Sequence, residues 1–356
     1  MKILFDCRYV RVGRPDGISR YSVGLLTALA RLHPVTMLVC DRAQLDRLPE
    51  LPYHLVSGPT SLREPLLARA VNQLRPDIVF SPMQTMGSWG RRYRLVLTLH
   101  DLIYYTHPTP PPEFAAPIRL LWRAYHLAWW PQRLLLNRAD AVVTVSETTA
   151  ALIAAHRLTE RPVTVVPNAA DPPPSTDRAP RTRALVYMGS FMPYKNVATL
   201  ARAMAALPDH ELHLMSRVSA TERARLTALA GAGRLVFHDG ASDETYRELL
   251  RGATALVSAS RAEGFGIPLV EAMALGTPVV VSDIPVFREV GGAAARYVDP
   301  DDAAGFVAAI RELDDPAWWA QRSAAARGQA ERFSWDASAR LLLALLERTV
   351  GVDAAR

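Results

Sequence analysis

The sequence predicts an α/β protein of two doubly wound domains that face each other across a cleft. Three observations support this fold class. Short apolar runs alternate with helical patterns, a proline-rich segment interrupts them at residues 171–180, and the alternation then restarts. Such alternation is typical of a parallel sheet covered by helices on both faces. With 356 residues, the chain can form two domains that each bury a core.

The first domain is predicted over residues 1–170. Its predicted strands are the apolar runs 3–7, 35–40, 77–81, 95–99, 141–145 and 163–166. Helical patterns between them include Ile18–Leu32 and Leu62–Leu74. The segment 171–180 then carries four prolines, which cannot continue a helix or a central strand. We therefore place the linker there.

The second domain is predicted over residues 171–335. Its predicted strands are 184–188, 211–215, 234–237, 254–259 and 278–282. A final helix, at about Asp336–Val350, could pack on either domain. Ligands of open parallel sheets bind beyond the carboxyl ends of the strands. The residues that follow each strand are therefore the candidates for function.

The composition favours a soluble globular enzyme, because 49% of residues are hydrophobic and 21% are charged. The N-terminus reaches Asp6 before an apolar run as long as that of a signal peptide has formed, so no signal peptide is expected. No stretch approaches the roughly 18 apolar residues of a spanning helix. Two cysteines, Cys7 and Cys40, are expected to be reduced thiols. A cytosolic protein is therefore predicted.

The charge is divided unevenly along the chain. Residues 1–170 carry 20 basic and 12 acidic residues, whereas residues 171–356 carry 21 and 23. A basic first half indicates an anionic partner, which could be a phosphate-bearing substrate, a lipid surface or nucleic acid. Only Lys2 and Lys195 are lysines, so Lys195 is unusual in an arginine-rich chain.

The segment Glu263–Glu271 contains the main candidate site. It follows a predicted strand, and Pro268 suits the first turn of a helix. Backbone N–H groups of Gly264, Phe265 and Gly266 would then lie at a helix N-terminus, where phosphate or sugar hydroxyls can bind. The two glutamates could accept hydrogen bonds from vicinal hydroxyls. A tight turn followed by a charge that stabilises the helix dipole explains the local pattern equally well.

These residues carry a family resemblance. Glu263 to Glu271 resembles the E-x7-E motif of retaining glycosyltransferases of the GT-B fold, which has two Rossmann-like domains, and is most similar to glycosyltransferase family 4. Ala272–Val280 resembles that family's continuation of the motif. The resemblance implies that Glu271 binds the donor ribose hydroxyls. It also implies that Glu263 holds the hydroxyls of the donor sugar near the reacting centre.

The run Met188–Asn196 resembles the phosphate loop of the same family, in which Lys195 would neutralise the departing diphosphate. The alternative is an exposed charge at a helix start. Many relatives have an arginine directly after the glycine, where this chain has Ser190. We therefore expect Arg217 or Arg261 to supply the second cation.

In the first domain, the resemblance implies that His100 contacts the donor sugar and donates to the developing charge. The alternative is a histidine that only caps a strand end. The loop Gly13–Gly17 resembles the family's glycine-rich loop near the diphosphate and the acceptor, represented here by Gly17. It lacks G-x-G-x-x-G, which argues against nicotinamide binding. Ser146 is predicted to cap a helix.

No metal or cofactor is expected. The pair Asp299 and Asp301 fits a metal-binding D-x-D, but its position just before a helix favours capping. The sequence has no cluster of histidines, cysteines and carboxylates at metal-ligand spacing.

The segment Phe114–Arg138 mixes tryptophans with arginines and could lie at an anionic lipid interface, which would suit a lipid-linked acceptor. Ordinary helix packing is the alternative.

The sequence therefore predicts a retaining glycosyltransferase that uses a nucleotide-sugar donor and a lipid-linked or saccharide acceptor, and that binds no nucleic acid. It would act in the cytoplasm or peripherally on the inner membrane face. The run from His100 is similar to mannosyltransferases that use GDP-mannose, while UDP-glucose and UDP-N-acetylglucosamine stay open. The alternatives are a phosphorylase or epimerase of the same fold, and a non-catalytic nucleotide-sugar-binding protein.

Overall fold

A computed structural model describes residues 1–13, 16–110, 116–171 and 179–351, which pack as two units. Unit 1 contains Met1–Leu102, Leu121–Ala169 and Phe333–Arg356. Unit 2 contains Ile103–Leu120 and Ala170–Arg332. The longer segment of unit 2 thus starts one residue before the predicted boundary. The division differs from the predicted one because Ile103–Leu120 groups with unit 2. The segment from Phe333 groups with unit 1, one of the two possibilities that the prediction left open for the final helix.

Each unit contains one parallel sheet, of seven strands in unit 1 and six in unit 2. The orders are β3-β2-β1-β4-β5-β6-β7 and β10-β9-β8-β11-β12-β13, which are doubly wound arrangements. The strands of the described residues are β1 (Ile3–Asp6), β2 (Val35–Val39), β3 (Tyr53–Leu55), β4 (Ile78–Ser81), β5 (Arg94–Leu99), β6 (Ala141–Thr144), β7 (Val163–Val165), β8 (Ala184–Tyr187), β9 (Glu211–Leu214), β10 (Arg234–Phe237), β11 (Ala255–Ser258), β12 (Val279–Ser282) and β13 (Arg296–Val298).

Helices follow most of the strands and cover the sheets. They are α1 (Gly17–Leu32), α2 (Leu67–Gln73), α3 (Ile103–Thr106), α4 (Ala116–His126), α5 (Trp130–Leu136), α6 (Glu147–Ala155), α7 (Val197–Met204), α8 (Ala220–Ala230), α9 (Asp243–Gly252), α10 (Ile267–Ala274), α11 (Pro285–Gly291), α12 (Ala303–Glu312), α13 (Pro316–Ala330) and α14 (Trp335–Gly351). Short 3₁₀ turns occupy Arg42–Arg47, Glu64–Leu66, Pro193–Lys195 and Gly292–Ala294. No helix of the described ranges is long and apolar enough to cross a bilayer.

The predicted strands are confirmed to within one or two residues, and two further strands are present. β3 and β13 are three-residue edge strands, and β3 is exposed at every position. They contain His54 and Arg296 and lack a valine-rich run such as 163–166, from which the equally short β7 was predicted. The helix predicted over Leu62–Leu74 begins only at Leu67, after a 3₁₀ turn that contains Pro65.

The final helix α14 packs against α1 within unit 1. Gly24 of α1 allows this close approach, because a Cβ atom there would lie 2.3 Å from the ring of Trp335. The Ser338 hydroxyl donates to the Pro167 carbonyl at 2.8 Å. Helix α14 is therefore part of the first unit's core.

Candidate functional site

In unit 2, the strand order reverses between β8 and β11, which are neighbours in the sheet although 67 residues separate Tyr187 from Ala255 along the chain. Such a reversal opens a crevice at the carboxyl ends of the two strands. The phosphate-loop candidate follows β8 and the Glu263 segment follows β11. The topology therefore brings the two predicted motifs together.

The ion pair between Lys195 and Glu263 joins these loops. The Lys195 Nζ donates to both carboxylate oxygens of Glu263, at 2.7 and 2.8 Å. The side chains are 16% and 13% exposed, so the pair is largely shielded but still reachable from solvent. The Tyr194 ring centroid lies 5.4 Å from the ammonium. Two groups with separate predicted roles thus neutralise each other.

The loop after β8 has a constrained backbone. The Tyr187 hydroxyl donates to the Ser190 carbonyl at 2.6 Å, and a Cβ atom at Gly189 would lie 2.8 Å from that hydroxyl. The backbone N–H groups of Gly189, Ser190 and Phe191 donate to no described residue. Asn196 ends the loop in the left-handed region, with φ 49°. The Asn196 amide anchors the turn by donating to the Pro300 carbonyl at 2.6 Å.

The loop after β11 leads into α10. Gly266 is the N-cap at φ 98°, and a Cβ atom there would meet the Phe287 ring at 2.9 Å. Phe265 is only 4% exposed, so only its backbone could contact a ligand. Glu271 lies in the second turn of α10 and is partly exposed.

The two candidate second cations differ in their partners. Arg261 forms an ion pair with Asp301, and its backbone N–H donates to the Tyr194 carbonyl at 2.8 Å. The Arg217 guanidinium, in the loop after β9, is exposed and makes no hydrogen bond or ion pair with a described residue. It lines a surface cavity of about 860 Å³ together with Arg223 and Asp239. Lys195 and Glu263 are not among the residues that line this cavity.

His107 was not predicted as a site residue. It belongs to the segment of unit 2 that follows α3, and its ring lies 6.0 Å from the ring of Tyr194, centroid to centroid. Burial and the positive charge of Arg261 lower its pKa. No local pattern distinguishes it from the other histidines, since only the fold brings it to the phosphate loop.

In unit 1, His100 follows β5 as predicted. Its Nε2 lies 2.8 Å from the Pro82 carbonyl, which can only accept, so Nε2 carries a proton. Burial lowers the pKa of His100. In the neutral ring Nδ1 is therefore an acceptor, and it could donate to a ligand only after protonation. The Tyr21 ring packs edge-on against the imidazole at 5.0 Å between centroids.

The start of α1 and the start of α6 are both capped. Gly17 is the first residue of α1, and Asp16 caps this helix by accepting from the Ser19 N–H at 2.8 Å. Ser146 caps α6 by accepting from the Thr149 N–H at 3.1 Å, which confirms the predicted capping role.

A buried charge network that was not predicted lies at the reversal of the unit 1 sheet, between β1 and β4. Arg8 donates to both oxygens of Asp6, at 2.8 and 3.0 Å, and to both oxygens of Glu64, at 2.6 and 3.1 Å. Ser81 donates to Asp6 at 3.0 Å, and the Gly87 N–H donates to Glu64 at 2.9 Å. The Arg8 and Asp6 side chains are 0% exposed.

The structure assigns the D-x-D pair to a turn. Asp299 accepts from the Asp301 N–H at 2.8 Å, and Asp301 pairs with Arg261. The N-cap of α12 is Asp302, outside the pair, so the predicted capping residues were wrong by one position.

A different group of potential metal ligands is Asp209, His210 and Asp314. Arg311 already pairs with both carboxylates, at 2.8 and 3.1 Å, and Arg183 contacts both as well. These two guanidinium groups balance the two negative charges, so the group does not favour a cation.

The predicted lipid-facing segment is partly packed against its surroundings. Trp129 stacks on His156, with ring centroids 4.0 Å apart, and Arg133 donates to the His156 carbonyl. Phe114 lies outside the described residues. A set of exposed side chains remains within unit 1, which we call the basic–apolar surface: Leu121, Arg123, Leu127, Trp130, Leu134 and Arg138.

Comparison with known proteins identifies the family. Residues 15–173 match the family described as Glycosyltransferase Family 4, and residues 182–315 match Glycosyl transferases group 1. The O-antigen chain mannosyltransferase RfbU of Salmonella typhimurium is 28% identical over 85% of this chain and 89% of its own length. The MMP alpha-(1->4)-mannosyltransferase of Mycolicibacterium hassiacum is 30% identical over 74% and 67%.

Solved structures support the fold. Sucrose-phosphate synthase from Thermosynechococcus elongatus matches with a TM-score of 0.76 at 22% identity over 100% of both chains. Anabaena Alr3699/HepE, solved in complex with UDP and glucose, matches with a TM-score of 0.71 at 20% identity over 98% of this chain and 99% of its own. Fold and site thus define a glycosyltransferase of the GT-B class. The chain belongs to glycosyltransferase family 4.

Proposed function

We propose that this enzyme transfers a mannosyl residue, with retention of configuration, from GDP-mannose to a lipid-linked or saccharide acceptor. The observation that carries the donor site is the meeting of Lys195 and Glu263 at the strand reversal of unit 2. Mannosyl transfer is favoured by the relatives, several of which are mannosyltransferases.

The donor would bind through complementary charges. Lys195, the N–H groups of Gly189 and Ser190, and a second cation would contact the diphosphate. We favour Arg217 as the second cation because Arg261 is engaged by Asp301, although the cavity that Arg217 lines includes neither Lys195 nor Glu263. Glu271 would accept from the ribose hydroxyls and Glu263 from the sugar hydroxyls. Lysine and arginine supply the positive charge, so we propose transfer without a metal, and activity should survive EDTA.

In unit 1, we propose that His100 contacts the donor sugar and that the loop at Gly17 lies near the diphosphate and the acceptor. A neutral His100 would accept a sugar hydroxyl at Nδ1, because its Nε2–H is held by Pro82. A role as a donor requires the imidazolium.

A direct experiment would incubate the enzyme with radiolabelled GDP-mannose, UDP-glucose and UDP-N-acetylglucosamine and follow release of the sugar. We expect slow hydrolysis of GDP-mannose that disappears in Glu263→Ala. Release that requires inorganic phosphate would indicate a phosphorylase, and conversion of the intact donor an epimerase. Binding without any turnover would indicate a non-catalytic protein.

We further propose that the enzyme acts on the cytoplasmic face of an anionic membrane through the basic–apolar surface. Leu127 is 84% exposed, Leu121 72% and Trp130 65%, an exposure that favours insertion among lipid headgroups. Arg123 and Arg138 of the same segment are also exposed, and residues 114–138 contain no acidic residue. The combination fits an anionic lipid surface.

Co-sedimentation with vesicles of phosphatidylglycerol and phosphatidylcholine tests this surface. Arg123→Glu with Arg138→Glu should weaken binding more than tenfold, because each basic residue contributes about 1 kcal/mol near an anionic membrane. The matched control for the change of charge is Arg42→Glu with Arg92→Glu. Trp130→Ser removes an apolar side chain of the basic–apolar surface and should also weaken binding, with Leu62→Ser as its control. Equal binding by all variants would contradict the proposal.

A further inference from the structure

The Lys195–Glu263 pair has a consequence for ligand binding. Both carboxylate oxygens contact one ammonium group, at 2.7 and 2.8 Å. A diphosphate that binds Lys195 brings negative charge to the same ammonium, directly beside the carboxylate. An ammonium has three N–H donors, and Glu263 already accepts two hydrogen bonds from it. The diphosphate and Glu263 therefore compete for Lys195.

The cost of displacing the Glu263 carboxylate from Lys195 differs between the nucleotide-sugar and the nucleoside diphosphate. When the intact nucleotide-sugar binds, the sugar hydroxyls can donate to Glu263 and replace the hydrogen bonds that it loses. When the nucleoside diphosphate binds alone, no sugar is present, and a side chain that is only 13% exposed loses its partner. Loss of a partner by a shielded charge is unfavourable. The competition therefore weakens the binding of the nucleoside diphosphate product more than the binding of the intact donor.

We propose that Glu263 is an internal competitor that selects nucleotide-sugar over nucleoside diphosphate and promotes product release by returning to Lys195. This inference rests on the proposed donor site. It adds a role to Glu263 besides holding the sugar, since the same carboxylate contacts the sugar in one state and the lysine in the other.

The first test measures the affinity for GDP and UDP by calorimetry. Glu263→Gln keeps the size of the side chain and removes its charge, so we expect the nucleoside diphosphate to bind about tenfold tighter. If the substitution only damaged the binding site, the nucleoside diphosphate would bind more weakly. Affinity for the intact nucleotide-sugar should stay equal or fall. Glu244→Gln is the matched control, because Glu244 is exposed in α9 and pairs with no described residue.

A double-mutant cycle tests whether the effect of Glu263 on diphosphate binding depends on Lys195. If Glu263 acts by competing for Lys195, Glu263→Gln should not tighten diphosphate binding in a Lys195→Met background. If it acts only by long-range repulsion, the gain should persist there, and the inference would be wrong. Glu263→Asp keeps the charge on a shorter side chain and should give an intermediate affinity, which provides a second variant if the glutamine folds poorly.

The outcomes separate the two proposals. A wild-type protein that binds neither GDP, UDP nor a nucleotide-sugar would overturn the proposed function itself. A wild-type protein that binds nucleoside diphosphate, combined with a Glu263→Gln variant that binds it no more tightly, would overturn only the competition.

Discussion

Each sheet has charged residues at the point where its strand order reverses, but these residues differ in their hydrogen bonds and in their exposure. At the reversal of unit 1, Arg8 is bound by both oxygens of Asp6 and both oxygens of Glu64, and its side chain is 0% exposed. At the reversal of unit 2, Lys195 and Glu263 contact each other and are 16% and 13% exposed.

The difference lies in hydrogen-bonding capacity and access. Arg8 also donates to the Ser57 carbonyl at 3.0 Å, so its guanidinium is saturated by the protein. Asp6 and Glu64 raise the pKa of Arg8 although burial alone would lower it. The Lys195 ammonium has solvent access and a partner that a ligand can replace. Strand order creates both positions, but only an unsaturated and accessible one can bind substrate.

The largest expected effect is on stability. Arg8→Met would leave the fully buried Asp6 and the 12% exposed Glu64 without their common partner, and we expect a loss of about 3–5 kcal/mol in the free energy of unfolding. Lys195→Met should lose less, about 1–2 kcal/mol, because it leaves only one carboxylate unpaired and the Glu263 side chain is 13% exposed. Urea denaturation measures both. Adding Glu64→Gln to Arg8→Met should recover part of the loss, and equal losses for Arg8→Met and Lys195→Met would refute the comparison.

Substitution of Lys195 should affect catalytic activity more strongly than it affects stability. Lys195→Met removes a cation that we propose stabilises the departing diphosphate, so kcat/KM should fall by about 10²–10³ with little change in melting temperature. Lys2→Met is the control, because Lys2 is the other lysine of the sequence and contacts the Leu74 carbonyl. Unchanged activity in Lys195→Met would exclude the proposed role.

A smaller effect distinguishes the two arginines. Arg217→Ala should weaken donor binding about tenfold, as expected for the loss of one charge-assisted contact. Arg261→Ala should change it less than threefold, because that guanidinium is already paired with Asp301. Thermal shift with GDP-mannose measures both, and the reverse order would assign the second cation to Arg261.

The smallest expected effect is a pH dependence at His100. Its folded pKa is lowered by burial, whereas in the unfolded chain it is about 6.5. As the pH falls below that value, the unfolded state binds a proton that the folded state does not, so the free energy of unfolding decreases. His100→Gln should flatten this decrease between pH 7 and 5. A parallel curve for both proteins would contradict the assignment.

Much of the fold could be predicted from local pattern. Buried strands such as β1 and β8 are continuous apolar runs, and the prolines after Asp171 mark the change of unit. The edge strands β3 and β13 were missed because His54 and Arg296 interrupt segments that lack a valine-rich run like that of β7. The return of α14 to unit 1 could not be predicted, since it depends on Gly24 leaving room for Trp335.

The sequence by itself determined which residues could carry the chemistry, because the spacing around Glu263 and the single lysine of the phosphate loop are local properties of the chain. Only the tertiary structure decided that these two side chains touch, since that depends on β8 and β11 being neighbours in the sheet. The same applies to Arg8, whose partner Glu64 is 56 residues away. Whether a charge is saturated depends on contacts between distant segments, which no local pattern contains.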